Sequence, residues 1–365
     1  MSETVLKKEE RVAIELRSLY KKYGYLPYKM SKFEAYDLYA RNKDFLRGDG
    51  VITFNDTDGK LLALKPDVTL SIIKNLGDSE NLQKVSYSES VYRVSDGTKQ
   101  FGELTQVGVE CIGDIGVYDL YESVRLAAES LALISENFVL DISHLGILSG
   151  IFEEIGEGKT FEREAVKLLS EKNLHEMSAL VEKYNVPKKS AEKLVAIVST
   201  YGDMQTVVNT LEPLCDTPTL QAAFAELSAL YALLKETSFA DKIRLDFSVV
   251  NNMKYYNGLV FKGFVSGVPE GVLSGGRYDS LVARMGKKSG AIGFAVYLDL
   301  LEDFFAQKEV FDVDTLVLYD EKTPMEQIVQ AVEQETKAGR SVRAQKSVGT
   351  LRYKNRVELL GEKKC

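Results

Sequence analysis

KVSYSESVYRV (residues 84–94) and ELTQVGVECI (residues 103–112) decide how this 365-residue chain is read. Both alternate apolar and polar residues, the period of a strand with one buried face. SDGTKQFG between them is rich in turn formers, so the pair predicts a long antiparallel hairpin with a broad loop. Upstream, VITF (51–54) and LLAL (61–64) flank the turn cluster NDTDGK and predict a second, shorter hairpin. DVTLSIIKNL follows Pro66 with an Asp in its first turn and reads as a helix start. Residues 8–23 place Val12, Leu16, Leu19 and Tyr23 at helical spacing before a stop at Gly24. Helix is expected again over 117–135 and strand over 138–142.

From about Glu157 to Lys235 the character changes. FEREAVKLLSEKNLHEMSALVEKY and AEKLVAIVSTYG are helically periodic, and prolines 187, 213 and 218 fall in the breaks. No strand-like alternation interrupts the block, which predicts an all-α insertion. Strand signal returns at 243–250 and 255–266. VLSGGRYDSLVARMG sets two glycines between a strand and a helix, and GAIGFAVYLDLLEDFF passes from strand into helix. After Val313 the order is strand, helix, strand. The expected fold is α+β: an antiparallel sheet core with a helical insertion and a small C-terminal α/β piece. The expected divisions are 1–155 and 241–310 for the core, 156–240 for the insertion and 311–365 for the last piece.

Composition narrows the function. Apolar residues make up 45% and charged residues 27%, an ordinary globular balance. Asp+Glu 54 against Lys+Arg 46 gives −8, contrary to the basic footprint of a nucleic-acid binder. Three dispersed cysteines (Cys111, Cys215, Cys365) make neither a disulfide framework nor a Cys-rich zinc site. His144 and His175 are too few for a histidine metal centre, and both read as structural or surface residues. The polar start, and the lack of any run near the roughly 18 apolar residues of a membrane span, predict a reducing, cytoplasmic setting without membrane contact. No cofactor and no metal are expected.

GEGKT (156–160) imitates the end of a phosphate loop, but the position that needs the first glycine is Glu153, and the segment follows a helix. It reads as a linker. The stretch 340–365 holds eight Lys/Arg against two Glu. It is read as a solvated tail, with an acidic partner surface as the sharper alternative. KPDVT (65–69) sets a carboxylate and a hydroxyl at a helix start. Gln106 and Glu110, four apart on a strand, share one face. YYNG (255–258) and GGRYD (275–279) bring tyrosines and glycines to strand ends. Carboxylates for an ammonium and aromatics for a flat ring suit a pocket for a small zwitterion.

Taken in order, LKPDVT, YRVS, QVGVE, NNMKYY, GGRYD and YLDLL resemble the ordered motifs of the histidyl-tRNA synthetase core, a class II synthetase, over roughly residues 8–305. The resemblance implies that Asp67, Thr69, Arg93, Gln106, Glu110, Tyr255, Tyr256 and Tyr278 form a histidine-binding pocket. The departures are as telling. Asn251 and Leu300 stand where the family carries ATP-gripping arginines, and Ser95 replaces a glutamate; Arg93 survives from the cationic set. Adenylation needs fixed cations around the α-phosphate. Two lost charge-assisted contacts at ~1.5–3 kcal/mol each would cost several powers of ten in rate. The chain also stops too early for a full anticodon-binding domain.

A synthetase-like chain that keeps the amino-acid pocket and loses the ATP arginines is similar to a paralogous family, the regulatory subunits of the short-form ATP phosphoribosyltransferase. That resemblance implies a subunit with no catalysis of its own, which activates the catalytic subunit of the first step of histidine biosynthesis and mediates feedback inhibition by L-histidine. It also implies a self-dimer and a hetero-octamer with four of each subunit; tRNA is not an expected partner. The rival readings are a divergent histidyl-tRNA synthetase, an amino-acid-activating ligase, or a tRNA-binding accessory protein supported by the basic tail alone.

Overall fold

The structure is a computed structural model that describes residues 6–46, 50–77, 81–94, 100–250, 255–306 and 311–359. Asn251, Ser95 and Cys365 lie outside the described residues. The chain divides into two compact units, residues 1–301 and 302–365.

The first unit is built on a nine-stranded sheet around the 84–112 hairpin. Strand Gln83–Val94 pairs antiparallel with Phe101–Gly113, from Gln83 opposite Ile112 to Val94 opposite Phe101. Across the sheet the order is Leu26–Pro27, Gln83–Val94, Phe101–Gly113, Gly290–Tyr297, Leu273–Arg277, Leu259–Val265, Phe138–His144, Ile243–Asp246 and Tyr201–Asp203. The Leu26–Pro27 and Ile243–Asp246 strands each join a neighbour in parallel; the other pairings are antiparallel. This is an antiparallel-rich α+β core, as the sequence leads one to expect.

Alternation gives the sheet two unlike faces. Val109, Phe294, Gly275 and Phe261 are register partners in turn and point one way. There helices Lys8–Lys22 and Val117–Ile134 cover them: the Tyr20 ring meets Phe294 edge-on at 5.8 Å, and its hydroxyl lies 3.1 Å from Ser130 Oγ. Leu16, Tyr20, Leu120, Val124 and Leu131 are fully buried in this layer. The other face carries the small or polar residues Gln106, Gly108, Glu110, Gly276, Gly293 and Ala295, with the Tyr87 and Tyr256 rings lying over Gly108 and Gly276.

The 51–64 reading holds: Thr53–Asn55 pairs antiparallel with Leu61–Leu64. After helix Leu145–Ile155, five helices make the helical block, from Lys159–Ser170 to Pro218–Leu234. The linker reading of GEGKT matches the geometry, with Gly156 ending one helix at φ 73° and Gly158 N-capping the next. One correction falls in this block. Tyr201–Asp203 is a strand, antiparallel to Ile243–Asp246. Three residues are too few to show alternation. The glycines of GGRYD lie inside strand Leu273–Arg277 rather than after it, and the helix starts at Asp279.

The second unit has a three-stranded parallel sheet, ordered Val342–Gln345, Val313–Tyr319, Tyr353–Leu359, with helix Met325–Lys337 tied to it by Thr315 Oγ1 donating to Glu335 at 2.6 Å. The solvated-tail reading is therefore corrected for 353–359. Tyr353, Val357 and Leu359 alternate toward cover, but intervening charges hide the period.

Candidate functional site

On the open face of the main sheet lies a cavity of about 520 Å³, lined by all eight of the residues singled out above. Each arrives from a different local device. Asp67 is the N-cap of helix Val68–Asn75 and accepts from the Leu70 N–H at 2.9 Å, an arrangement worth about 1 kcal/mol. That cap turns Thr69 inward, where its hydroxyl donates to Glu110 Oε1 at 2.8 Å. Arg93 Nε donates to the Pro66 carbonyl at 2.7 Å, and its Nη2 lies 3.9 Å from Asp67 Oδ2, so Arg93 braces the KPDVT turn. Gln106 and Glu110 stand on one face of strand Phe101–Gly113, as their spacing requires. Tyr278, just past strand Leu273–Arg277, anchors its N–H on the Ala291 carbonyl at 2.8 Å and donates its hydroxyl to Glu110 Oε2 at 2.5 Å. The Tyr255 ring lies 4.7 Å from that of Tyr256 and 5.8 Å from that of Tyr278, and closes an aromatic wall with Phe45.

Glu110 is the centre of this arrangement. It is 2% exposed, and both oxygens are held by hydroxyls rather than cations. Burial pushes its carboxyl up to about 8; the Tyr278 and Thr69 bonds oppose that shift, and the Asp67 charge adds to it. Burial likewise raises Tyr255 and Tyr278 well above the usual phenol range, so both stay neutral donors. A buried carboxyl with neutral donors and an aromatic wall can hold a cationic group attached to a flat body once the carboxyl gives up its proton. Among the described residues no cluster of His, Cys, Asp and Glu could hold a metal ion.

The far end of the cavity carries Lys262, Phe264, Glu270 and Leu300. Leu300 puts a neutral branched chain on the rim at the position the resemblance gives to an arginine. Tyr87 also lines the cavity and was not picked out from the sequence. It has the strand parity of Arg93 and lies opposite Gly108, a signal within reach of the alternation argument. The small lining residues Gly293 and Ala295 were missed altogether: Gly293 pairs with Glu110 and Ala295 with Gly108, a cross-strand register absent from linear order. Lys65 is also unforeseen. Fully buried, its Nζ lies 2.8 Å from Glu89 Oε2, tying the KPDVT turn to the hairpin.

The profile of the histidyl-tRNA synthetase family matches residues 1–301. The chain is 28% identical over 298 residues to the ATP phosphoribosyltransferase regulatory subunit of Oceanobacillus iheyensis, spanning 80% of this chain and 73% of that one. It is 30% identical over 287 residues to the regulatory subunit of Alkaliphilus metalliredigens, spanning 76% and 72%. Among solved structures, the fold is shared with an ATP phosphoribosyltransferase regulatory subunit/histidyl-tRNA synthetase from Bacillus halodurans (TM-score 0.75, 22% identity, 97% of this chain and 94% of that one). It is also shared with a chain of the ATP phosphoribosyl transferase (HisG:HisZ) complex from Thermotoga maritima (TM-score 0.63, 18% identity, 80% and 97%). A synthetase-type sheet, a cavity lined by carboxylates and tyrosines, and these relatives agree: the chain belongs to the histidyl-tRNA synthetase-like family of ATP phosphoribosyltransferase regulatory subunits.

Proposed function

We propose that this chain is a non-catalytic, cytoplasmic sensor that binds L-histidine in the Glu110 cavity, activates the short-form ATP phosphoribosyltransferase catalytic subunit and conveys feedback inhibition to it. The observation that carries the reading is Glu110 itself, a buried carboxyl whose hydrogen-bond partners among the described residues are the neutral hydroxyls of Thr69 and Tyr278. The histidine α-ammonium meets Glu110, with Gln106 beside it, and the imidazole lies along Tyr255 and Tyr256. Asp67 contributes charge but is already shared with the helix cap and Arg93, so Glu110 is the principal anchor. Leu300 on the rim supports binding without adenylation, because an apolar side chain there gives no stabilisation to a charged α-phosphate. In this reading the chain dimerises and assembles with the catalytic subunit as a hetero-octamer, four of each.

Two results are expected. The pure chain catalyses no histidine-dependent exchange of labelled pyrophosphate into ATP; a rate like that of a true synthetase would instead make it an activating enzyme. Mixed with the short catalytic subunit, it co-elutes with it, raises turnover and confers inhibition by histidine. Glu110→Gln should weaken histidine by about 1.5–3 kcal/mol, roughly ten- to hundredfold, and relieve inhibition while the complex stays intact. Separate elution with unchanged turnover would end the regulatory reading. Inhibition that survives Glu110→Gln would place the sensor elsewhere.

A further inference from the structure

Behind the tyrosine wall lies a polar cluster that the ligand reading does not use. His144, at the end of strand Phe138–His144, puts Nε2 3.0 Å from Glu226 Oε1. A carboxylate only accepts, so the ring donates there, and its Nδ1 is buried with no hydrogen-bond partner among the described residues. Arg277 Nη1 donates to the other Glu226 oxygen at 2.9 Å, and Arg277 Nε donates to Asp279 Oδ2 at 2.7 Å. Glu226 belongs to helix Pro218–Leu234 of the helical block; Arg277 and Asp279 flank the ligand-facing Tyr278.

Two further observations show that this junction is built rather than incidental. The 218–234 helix comes unusually close to helix Leu145–Ile155: a Cβ at Gly146 would lie 3.3 Å from Ala223 Cβ, and one at Gly150 would lie 2.7 Å from Leu220 Cδ2. That approach brings Glu226 to the sheet. Arg277 is also where the two tyrosine segments are joined, because its carbonyl accepts from the Asn257 N–H at 3.0 Å, directly after Tyr256. Asn257 Oδ1 in turn accepts from the Ser280 N–H at 3.2 Å, and Asp279 Oδ1 accepts from the Ala291 N–H at 2.8 Å.

We propose that Glu226 is a positioning residue for the ligand site: by clamping Arg277 against His144 it fixes the backbone that presents Tyr256 and Tyr278, and so links the placement of the helical block to occupancy of the cavity. The proposal rests on the histidine reading for its ligand but not for its geometry. Because binding linkage is reciprocal, a ligand held by those tyrosines favours the clamped helix as much as the clamp favours the ligand.

Glu226→Gln in the full chain keeps the shape and removes the charge; Arg277→Lys keeps the charge but loses the planar fork whose Nη1 and Nε reach Glu226 and Asp279 separately. In the unliganded protein both variants should speed hydrogen exchange at the Asn257 and Tyr278 amides about tenfold, while amides of the 83–94 and 101–113 hairpin exchange as in wild type. Calorimetry should show histidine weakened by about three- to thirtyfold, the range of a residue acting through others. Unchanged exchange at Asn257 and Tyr278 in two folded variants overturns the proposal. So does acceleration spread evenly over the hairpin, the mark of a residue that only adds stability. If the wild-type chain takes up no histidine, the proposed ligand is wrong, and the exchange measurement still decides the role of Glu226.

Discussion

Between about pH 5 and pH 8 the ligand-free chain should lose close to 1.4 kcal/mol of stability per pH unit through Glu110, and Glu110→Gln should remove that slope. The folded-state carboxyl is raised from its ordinary 4.5 to about 8, with burial as the main cause. Over that interval the folded chain holds a proton that the unfolded chain has released. The contribution is therefore complete below about pH 4.5 and is lost as pH climbs through about 8. An ammonium ligand reverses the preference, since it needs the carboxylate; histidine affinity should rise toward tenfold per pH unit below 8, with a proton released on binding. Denaturant titrations of wild type and Glu110→Gln at pH 5.5, 6.5 and 7.5 isolate the difference. Calorimetry in buffers of unlike ionisation enthalpy counts the proton. Parallel stability curves for the two proteins would mean that Glu110 is ionised in the empty cavity.

Gly293→Ala should abolish ligand binding and destabilise the fold by about 1–3 kcal/mol or more. Exchanging Gly for Ala where space allows usually stabilises by about 0.4–1 kcal/mol, so the sign itself is diagnostic. A Cβ on Gly293 would overlap the Glu110 carboxylate and the Val109 carbonyl. The carbonyl belongs to a paired strand and cannot retreat, so the strain falls on Glu110 and its bonds to Thr69 and Tyr278. Gly77→Ala is the control, with no atom within 4 Å of the added carbon. Thermal melts and histidine calorimetry on both variants are sufficient. A Gly293→Ala protein as stable as the control variant and able to bind histidine would show that the cavity floor has room to spare.

Much of this site could be read in linear order because strand parity and helix caps are local. Gln106 and Glu110 share a face by their spacing alone, and Asp67 before an apolar helical run announces a cap. Tyr255, Tyr256 and Tyr278 came from motif order rather than periodicity, and the structure brings them to one wall. What stayed hidden depends on distant partners. Glu226 stands 82 residues from His144, and the carboxylate that accepts from this histidine leaves no mark in the sequence around it. The strand Tyr201–Asp203 is too short to carry a period. In the strand 353–359, the charges of Lys354, Arg356 and Glu358 mask the period of Tyr353, Val357 and Leu359. Gly293 carries no sign of its role in linear order, and only its register opposite Glu110 makes it part of the cavity lining.

That floor imposes an asymmetry on how the protein can change over generations. Gly293 and Ala295 give it little side chain, and a Cβ at Gly293 would already overlap the Glu110 carboxylate, so a larger residue there intrudes on the cavity. At the edge, Leu300 lies beyond the strand Gly290–Tyr297 and lines the cavity with a whole side chain, which can be exchanged without altering the strand. Drift is thus channelled to the edge. A lineage can discard a reaction by altering a few rim positions and still inherit, intact, the means of recognising the molecule on which that reaction once acted.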